Sequence, residues 1–401
     1  YKRPSWYDMG LPRYGGAEPL VSHWSRLIDA PIAVLLYGFE LVLPRDQAEL
    51  AVRAVWPLLV LLAFVYLMAR ETQLRGGRRA ALLAIALTVT CLLGITQFMP
   101  GRVDHHNAMI VCAVIGILRL ARSFDDEAAG WSAGIFLGLG TAIGYEALAL
   151  TTASLSAAVL FGLAPGRSLL APSRAAVTFA ATLSVALSIT ETGDALLVNA
   201  CDALSLNLVV LAATAAFGVS VVQALEDRLS LTAKLAALAL TGAVGIAIYA
   251  GAEPACLAGP FGQVDPALYP VWLAGVSETQ SMFSLGGKLP FLVGMALVYL
   301  AVGLYSGARL MQSDRDDGLR FHLLVIILSL PLSIWMIKLL PYATFLPVPL
   351  LALYLARSPV GSSRAKISRS QGAIAAIAVL ALAGGASWLL LKLSEPSTEQ
   401  L

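Results

Sequence analysis

The sequence contains few charged residues and few cysteines for its length. Only 13% of its 401 residues are charged, while 58% are hydrophobic, and soluble domains average about 25% charged residues. A single soluble core could not hide so much apolar surface, so this composition excludes an ordinary soluble globular protein. The cysteines are scattered, without a C-x-x-C pair, and they predict neither a disulfide scaffold nor a zinc site. They are Cys91, Cys112, Cys201 and Cys256.

A strong charge imbalance is also missing. The 27 Lys and Arg residues nearly balance the 25 Asp and Glu residues, which offers no support for nucleic-acid binding. The sequence shows no internal repeat and no soluble domain. It starts at Tyr1 rather than at Met, and no signal-like segment precedes its first polar stretch. We therefore expect the numbered chain to begin partway into the natural one.

Long apolar runs predict an all-α, polytopic membrane protein. A spanning helix needs about 20 mostly apolar residues, with about 17 as a practical minimum. Twelve segments meet or approach this length, and the run 132–165 is divided at the polar residues between Glu146 and Ser156. The predicted spans are residues 51–69, 80–98, 108–122, 132–148, 150–165, 174–190, 203–222, 233–251, 289–308, 321–339, 342–357 and 372–391.

Lys and Arg residues concentrate in alternate loops, which predicts the orientation of the chain. If the first predicted span enters the cytoplasm, the inner loops hold 17 of the 27 basic residues. The strongest single signal is the basic loop 357–369. We therefore expect a multi-pass protein of the inner membrane, with outer loops 1–50, 99–107 and 252–288 facing the periplasm.

The first outer loop contains an apolar stretch, residues 27–43, that is short for a span. It predicts an interfacial or re-entrant helix, whereas a spanning helix there would move residues 1–26 inside. The predicted organisation is a first outer (periplasmic) loop with this interfacial helix, a transmembrane domain and a short polar tail. These parts are residues 1–50, 51–392 and 393–401.

Ionisable groups near the spans are candidates for function, because they cost several kcal/mol at membrane depth. The most concentrated group is the short outer loop with Arg102, Asp104, His105 and His106. A carboxylate and an imidazole two residues apart can bind one divalent cation. The alternative is an interfacial polar turn with its side chains in water. Two ligands make an incomplete site, so further ligands must come from elsewhere or from a substrate phosphate.

Two further candidates lie later in the chain. Glu278 stands in the last large outer loop, where the alternative is a solvated loop residue. Lys338 falls at the outer end of a predicted span, where it could bind a lipid phosphate as a point charge or extend to the interface. The remaining candidates could line an outer cavity, and for Glu146, His23 and Arg26 the alternative is that they satisfy the end of a helix. These candidates are His105, Glu146, His23, Arg26 and Tyr342.

The order of these elements resembles the catalytic subunit of oligosaccharyltransferase, the single-subunit type of bacteria and archaea. An outer loop carries Asp-x-His at Asp104 and His106, and a later outer loop carries Val-Ser-Glu-x-Gln at 276–280. Lys338 then precedes a proline-rich span. The resemblance implies a GT-C fold, a polyprenyl-linked sugar donor and a divalent metal ion at the outer membrane face. It also implies a thirteenth helix, with a first metal-binding Asp, ahead of Tyr1.

The resemblance also implies roles for individual residues. Asp104 and His106 would bind the metal, and Glu278 would help to bind it and orient the acceptor. Lys338, with Arg102, would contact the donor phosphates, although Lys in place of the family's Arg loses bidentate geometry. We expect a chain that lacks the family's soluble C-terminal domain and its Trp-Trp-Asp-Tyr-Gly motif. Gly275 also stands where the family usually has Ser or Thr.

The sequence therefore predicts a metal-dependent GT-C glycosyltransferase embedded among membrane lipids. It would transfer a sugar or glycan from a polyprenyl (pyro)phosphate donor to a lipid or polysaccharide, ahead of a protein acceptor. The ion would be Mg²⁺ or Mn²⁺, and an imidazole ligand favours Mn²⁺. The alternatives are a transporter or flippase of a lipid-linked glycan, expected to show inverted repeats and ionisable residues at the membrane midplane, and a non-catalytic relative.

Overall fold

The computed structural model is almost entirely helical over the residues it describes, which are 6–7, 10–11, 20–21, 25–276, 279–286, 290–314 and 316–358. A small antiparallel sheet pairs β1 (Gly10–Leu11) with β2 (Leu20–Val21). The α-helices follow in chain order: α1 Arg26–Glu40, α2 Arg45–Val89, α3 Leu92–Ile95, α4 His106–Arg122, α5 Ala129–Ile143, α6 Leu148–Gly162, α7 Leu170–Thr190, α8 Leu206–Ala224, α9 Leu231–Ala252, α10 Met282–Gly286, α11 Pro290–Ser313, α12 Asp317–Trp335, α13 Leu340–Phe345 and α14 Pro347–Arg357.

The helical class predicted from the sequence is confirmed, and the chain is a multi-pass membrane protein. In the described part of the chain, eight helical stretches are long and apolar enough to cross a membrane. The predicted count of twelve is not confirmed. The predicted spans from 108–122 to 342–357 each overlap a helix, but some of these helices are short, such as α5 with 15 residues. The predicted span 372–391 lies outside the described residues.

The predicted span 51–69 lies within α2, which runs from Arg45 to Val89, and the predicted span 80–98 begins in α2 and continues through α3 to Phe98. The polar residues between these spans do not end the helix, because Arg, Glu and Gln are good helix formers. Only Gly77, with φ 71°, departs from helical geometry and separates α2 into two straight parts. The apolar runs therefore predict helical segments here, but they place a loop where the chain has a bend at Gly77.

Helix α1 occupies the position where residues 27–43 predict a helix. Ser25 caps its start, because the Ser25 side-chain oxygen accepts a hydrogen bond from the backbone N–H of Leu27. In the first turn Arg26 forms an ion pair with Asp29 at 2.8 Å. Helix α1 packs against α5 and α7. The first loop is therefore partly folded onto the helices of its own unit.

The contacts divide the chain into two compact units. Among the described residues, the first unit comprises those up to 56 together with 103–265, and the second comprises 57–102 and those from 266 to 358. The chain passes from one unit to the other after Trp56, after Arg102 and after Asp265.

The first unit is built around α5, whose glycines allow neighbouring helices to approach closely. Gly130, Gly134 and Gly138 recur every fourth residue and therefore share one face of α5. A Cβ atom at Gly130 would lie 2.7 Å from the backbone oxygen of Ala171 on α7, and one at Gly138 would lie 2.7 Å from Thr182. Small residues at this spacing are typical of membrane helix pairs, where close van der Waals packing replaces the hydrophobic effect.

The first unit has two chemically different ends. At one end Arg122 pairs with Asp126 at 3.8 Å and Arg174 pairs with Glu127 at 3.6 Å. The other end holds histidines, tyrosines and amide side chains. We call the former the arginine end, and it consists of residues 119–131, 161–174 and 223–231. We call the latter the histidine end, and it consists of residues 103–107, 144–147, 190–207 and 249–265.

A disulfide bond joins Cys201 and Cys256 at the histidine end. Cys201 lies between α7 and α8, and Cys256 lies in the 3-10 turn Pro254–Ala258 after α9. Because α8 and α9 pack against each other, these loops meet although the cysteines are 55 residues apart. The expectation of no disulfide framework is therefore corrected for this pair, and Cys91 and Cys112 remain free thiols.

The second unit packs around three aromatic rings. Phe64 of α2 and Phe345 of α13 meet edge to face, with ring centroids 4.8 Å apart, and Phe98 stacks on Phe64 at 5.7 Å. All three side chains are buried. At one end of this unit, the loop between α11 and α12 is held by charge, because Asp316 pairs with Arg75 of α2 at 3.1 Å. These contacts connect α2 with the helices that follow residue 290.

Candidate metal centre

His105, His106 and Glu146 converge at the histidine end. One possible ligand atom from each residue lies within 4.8 Å of the other two. His105 Nε2 is 3.2 Å from Glu146 Oε1, which is hydrogen-bond distance, and the two imidazole centroids are 4.2 Å apart. The side chains of His105 and Glu146 are only 12% and 19% exposed. The three groups therefore face one another in a half-buried site rather than extending into water.

The start of α4 orients the two histidines. His106 is the first residue of α4, and His105 directly precedes it. Asp104 Oδ1 accepts a hydrogen bond from the backbone N–H of His106 at 3.2 Å. This bond satisfies one of the N–H groups that a helix start leaves without an internal partner. Asp104 therefore stabilises the turn that presents the histidines, and it is not one of the three residues of the convergent group.

The turn between α5 and α6 supplies Glu146, and Gly144 makes room for it. Residues Tyr145–Ala147 form a 3-10 turn directly after Gly144. A Cβ atom at Gly144 would lie 2.8 Å from Glu146 Oε2 and 2.9 Å from His105 Cδ2, and it would also overlap Met109 Sδ. Any side chain at this position would therefore push apart the groups that meet here.

Two imidazoles and one carboxylate are a donor set suited to a divalent transition metal. In a tetrahedral shell with bonds of about 2.1 Å, ligand atoms lie about 3.4 Å apart. The three donors, which lie within 4.8 Å of one another, would therefore need to approach one another by up to about 1.4 Å. Mn²⁺ or Zn²⁺ fits this set, whereas Mg²⁺ prefers a shell of oxygen ligands. The residues present thus fit a resident divalent ion.

Three of the predicted residues lie in the second unit. Lys338 is half-buried in the 3-10 turn Ile337–Leu339 between α12 and α13, and Tyr342 is buried on α13. The backbone N–H of Ile337 donates to the backbone oxygen of Gln280 at 3.0 Å. The segment that follows Glu278 in sequence therefore contacts the turn of Lys338. Arg102, also half-buried, lies at the end of residues 57–102.

Two predicted residues, His23 and Glu278, lie outside the described residues. Arg26 lies in the first unit, at the start of α1. Its charge acts on Glu191, which follows the end of α7. Burial raises the pKa of Glu191, and the Arg26 cation opposes that increase. Arg26 thus contributes to the electrostatics of the histidine end, near the point where α7 ends.

The sequence predicts Asp104, His106 and Glu278 as ligands, and it predicts His105 and Glu146 only as residues that line a cavity. In the structure His105 and Glu146 stand beside His106 as possible ligands. The signal that could have identified Glu146 as a ligand is the Gly-Tyr-Glu sequence at the turn of an apolar hairpin. An acidic residue at the membrane boundary, without an evident structural role, is a candidate for function. The ligand roles of Asp104 and Glu278 remain predictions.

Comparison with known proteins gives structural matches only. No protein-family model matches the chain, and no curated protein sequence matches it significantly. One match is archaeal oligosaccharyltransferase AglB from Archaeoglobus fulgidus, solved with an inhibitory peptide and a dolichol-phosphate. It has a TM-score of 0.63 and 17% sequence identity, and the match covers 98% of this chain and 50% of that chain. The apo form of the Archaeoglobus fulgidus oligosaccharyltransferase matches with a TM-score of 0.59 at 17% identity, over 98% and 50%.

A third structure, the same archaeal enzyme in complex with Zn and sulfate, matches with a TM-score of 0.54 at 16% identity, over 95% of this chain and 46% of that chain. The chain thus spans about half the length of the oligosaccharyltransferases it matches. Likeness at this identity concerns the fold. The resemblance predicted from Asp104, His106 and the later motifs is therefore confirmed at the level of the fold, which is similar to that of the archaeal oligosaccharyltransferase.

Proposed function

We propose that this protein is a membrane glycosyltransferase that uses a divalent ion held at the histidine end. The observation that supports this most is the convergence of His105, His106 and Glu146 within 4.8 Å in a fold shared with oligosaccharyltransferases. The group lies where helices end, so its position favours chemistry at the membrane surface over transport through the midplane. The reaction would transfer a sugar or glycan from a polyprenyl (pyro)phosphate donor.

The archaeal structures support the choice of donor and acceptor classes. One was solved with a dolichol-phosphate and a peptide, and another with Zn. A lipid-linked phosphate donor and a divalent ion are therefore reasonable for this chain. A further structure of the archaeal enzyme was tethered with an acceptor peptide, which adds a protein acceptor to the lipid and polysaccharide acceptors that the sequence favours.

Each residue singled out from the sequence or the structure has a proposed task. His105, His106 and Glu146 would hold the ion, and Asp104 would hold the start of α4 and add a ligand, as the resemblance implies. A bound divalent ion supplies positive charge that stabilises a departing phosphate. Lys338 and Arg102 would pair with donor phosphates as cations, and Glu278 would orient the acceptor.

We further propose that the histidine end faces the periplasm. Disulfide bonds persist in oxidising compartments such as the bacterial periplasm, and the Cys201–Cys256 bond lies at this end. The arginines of the opposite end follow the pattern of cytoplasmic loops. Cysteine oxidation and arginine distribution are independent signals, and both support the same orientation in an inner membrane.

The test is calorimetric titration of Mn²⁺ into the purified full chain, followed by a transfer assay with polyprenyl-phosphate and polyprenyl-pyrophosphate sugars. We expect one Mn²⁺ to bind to the wild type, and His106→Ala and Glu146→Ala each to weaken that binding by at least about tenfold and to abolish the transfer. Absence of Mn²⁺ binding by the wild type, even with a polyprenyl pyrophosphate present, would contradict the proposal.

A further inference from the structure

A network of amide hydrogen bonds surrounds the Cys201–Cys256 disulfide. Gln263 Oε1 accepts from the backbone N–H of Cys201 at 3.2 Å, and Gln263 Nε2 donates to the backbone oxygen of Asn199 at 3.1 Å. The disulfide and Gln263 together fix the loop before α8 to the loop after α9. We call this group the clasp, and it consists of Asn199, Cys201, Asn207, Cys256 and Gln263.

The clasp also fixes the ends of the two adjoining helices. Asn199 Oδ1 accepts from the backbone N–H of Asn207 at the start of α8, at 3.2 Å, and Asn199 Nδ2 donates to the backbone oxygen of Ala252, the last residue of α9, at 3.4 Å. Asn207 Nδ2 lies 3.7 Å from Cys256 Sγ. Asn199 thus links the start of α8 to the end of α9, beside the disulfide.

The last turn of α9 connects the clasp to the candidate metal centre. Tyr249 stands three residues before the end of α9, and its hydroxyl is 3.1 Å from the hydroxyl of Tyr145. Tyr145 directly precedes Glu146 in the same 3-10 turn. Asp202, next to Cys201, interacts electrostatically with Tyr145 from the side of the clasp. The turn that presents Glu146 to His105 is thus anchored from outside the centre.

We propose that Tyr145, Tyr249 and the clasp are positioning residues that hold Glu146 where it can bind a metal ion together with His105 and His106. This inference rests on the proposed metal site and goes beyond it, because none of these residues is a ligand. Groups that orient a metal ligand typically change metal affinity by 10- to 100-fold when they are lost. The affinity of the centre for a metal ion would accordingly depend on an intact Cys201–Cys256 disulfide, although neither cysteine is a ligand.

The discriminating variant is Tyr249→Phe, which removes one hydroxyl and leaves the ring in place. We expect it to weaken Co²⁺ and Mn²⁺ binding to the purified full chain by about tenfold, with an unchanged melting temperature. The Co²⁺ absorption spectrum should shift towards that of Glu146→Ala, which a merely structural role would not cause. Tyr66→Phe, at an exposed tyrosine of α2, is the matched control and should match the wild type in both measurements.

A double-mutant comparison separates this inference from the proposed site. In a Glu146→Ala background, Tyr249→Phe should have no further effect on Co²⁺ affinity, because the residue that it positions is gone. The Cys201→Ser/Cys256→Ser variant should lower affinity at least as much as Tyr249→Phe, and Tyr249→Phe decides the question if that variant does not fold. Wild-type affinity in Tyr249→Phe would overturn the inference while leaving the metal site intact, whereas a wild type that binds neither ion would overturn both.

Discussion

At the arginine end of the first unit, the charged groups lie side by side and reach solvent, whereas at the histidine end the polar groups converge. The carboxylates of Asp126 and Glu127 are 56% and 54% exposed, although each faces an arginine. Glu146, with 19% of its side chain exposed, faces His105 across 3.2 Å. Exposed ion pairs contribute about 0–1 kcal/mol, so the arginine end gains little stability from its charges.

This contrast shows how two sets of ionisable residues in one helical unit serve different purposes. The charge of each arginine can be satisfied by water, by an aromatic ring or by an acidic neighbour. The position of the arginines indicates the orientation of the chain in the membrane. The residues of the histidine end are held by a helix cap, a glycine without a side chain, a tyrosine pair and a disulfide. Such converging support is typical of functional sites, and it can be tested by changing each end in a matched way.

The largest expected effect comes from Gly144→Ala. The new methyl group would overlap Glu146, His105 and Met109, and overpacking of this kind costs about 1–3 kcal/mol of stability. We expect Mn²⁺ affinity to fall by more than about 100-fold, beyond the usual loss for an orienting group, because two ligands are displaced together.

The matched control for Gly144→Ala is Gly251→Ala. A Cβ atom at Gly251, also at the histidine end, would meet no atom within 4 Å. This variant should keep wild-type Mn²⁺ affinity in the same calorimetric titration. Equal affinities for the two variants would show that the space at Gly144 is irrelevant to the site.

The second comparison uses one carboxylate from each end. Glu146→Gln keeps the size of the side chain and removes its charge, and it should weaken Mn²⁺ binding at least about tenfold because a neutral amide is a poorer ligand. Asp126→Asn, the same change at the arginine end, should leave affinity unchanged and alter the unfolding free energy by less than about 1 kcal/mol. Similar losses in both variants would indicate a general effect of charge rather than a site.

The hydrogen bond that Asp104 accepts from the backbone N–H of His106 and the predicted ligand role of Asp104 can be separated by substitution. Asp104→Ala should lower the unfolding free energy by about 1 kcal/mol, because the N–H of His106 loses its acceptor. Asp104→Asn should keep that stability, since its side-chain oxygen can accept the same bond. Both variants should weaken Mn²⁺ binding if Asp104 is also a ligand. Equal stability losses for Ala and Asn in thermal unfolding would contradict the capping role.

The smallest expected effect concerns Glu191 and pH. Burial raises the pKa of Glu191 in the folded protein, so the folded state binds this proton more tightly than the unfolded state does. The stabilisation is present at low pH and is lost as the pH rises through the folded-state pKa. Glu191→Gln should therefore match the wild type at pH 4 and melt slightly higher at pH 7. A lower melting temperature for the variant at pH 7 would contradict this assignment.

The sequence predicts the helical elements well because apolar runs and helix caps are local properties. It therefore locates α1, the helices from α4 to α9, and the polar loop at Asp104. The bend in α2 differs from prediction because a polar stretch of good helix formers need not end a helix. The helix is interrupted at Gly77 instead. Hydrophobicity alone does not predict this interruption, because it carries no information on backbone conformation.

The partners of His106 depend on tertiary packing, which the sequence reveals less directly. Glu146 is 40 residues away, and it reaches the histidines because α4 and α5 pack against each other and Gly144 leaves space between the groups. Cys201 and Cys256 meet for a similar reason, through the α8–α9 pair. Family resemblance identified His106 through Asp-x-His, but it contained no pattern for His105, Glu146 or the tyrosines behind them.

The most direct test of the central claim is X-ray absorption spectroscopy of the purified full chain loaded with one equivalent of Zn²⁺. The account predicts two imidazole nitrogens at about 2.0–2.1 Å, together with at least one carboxylate oxygen. It also predicts that His105→Ala and His106→Ala each remove one imidazole. A zinc ion coordinated by oxygen atoms only, or a spectrum unaffected by both substitutions, would contradict a metal centre built from His105, His106 and Glu146.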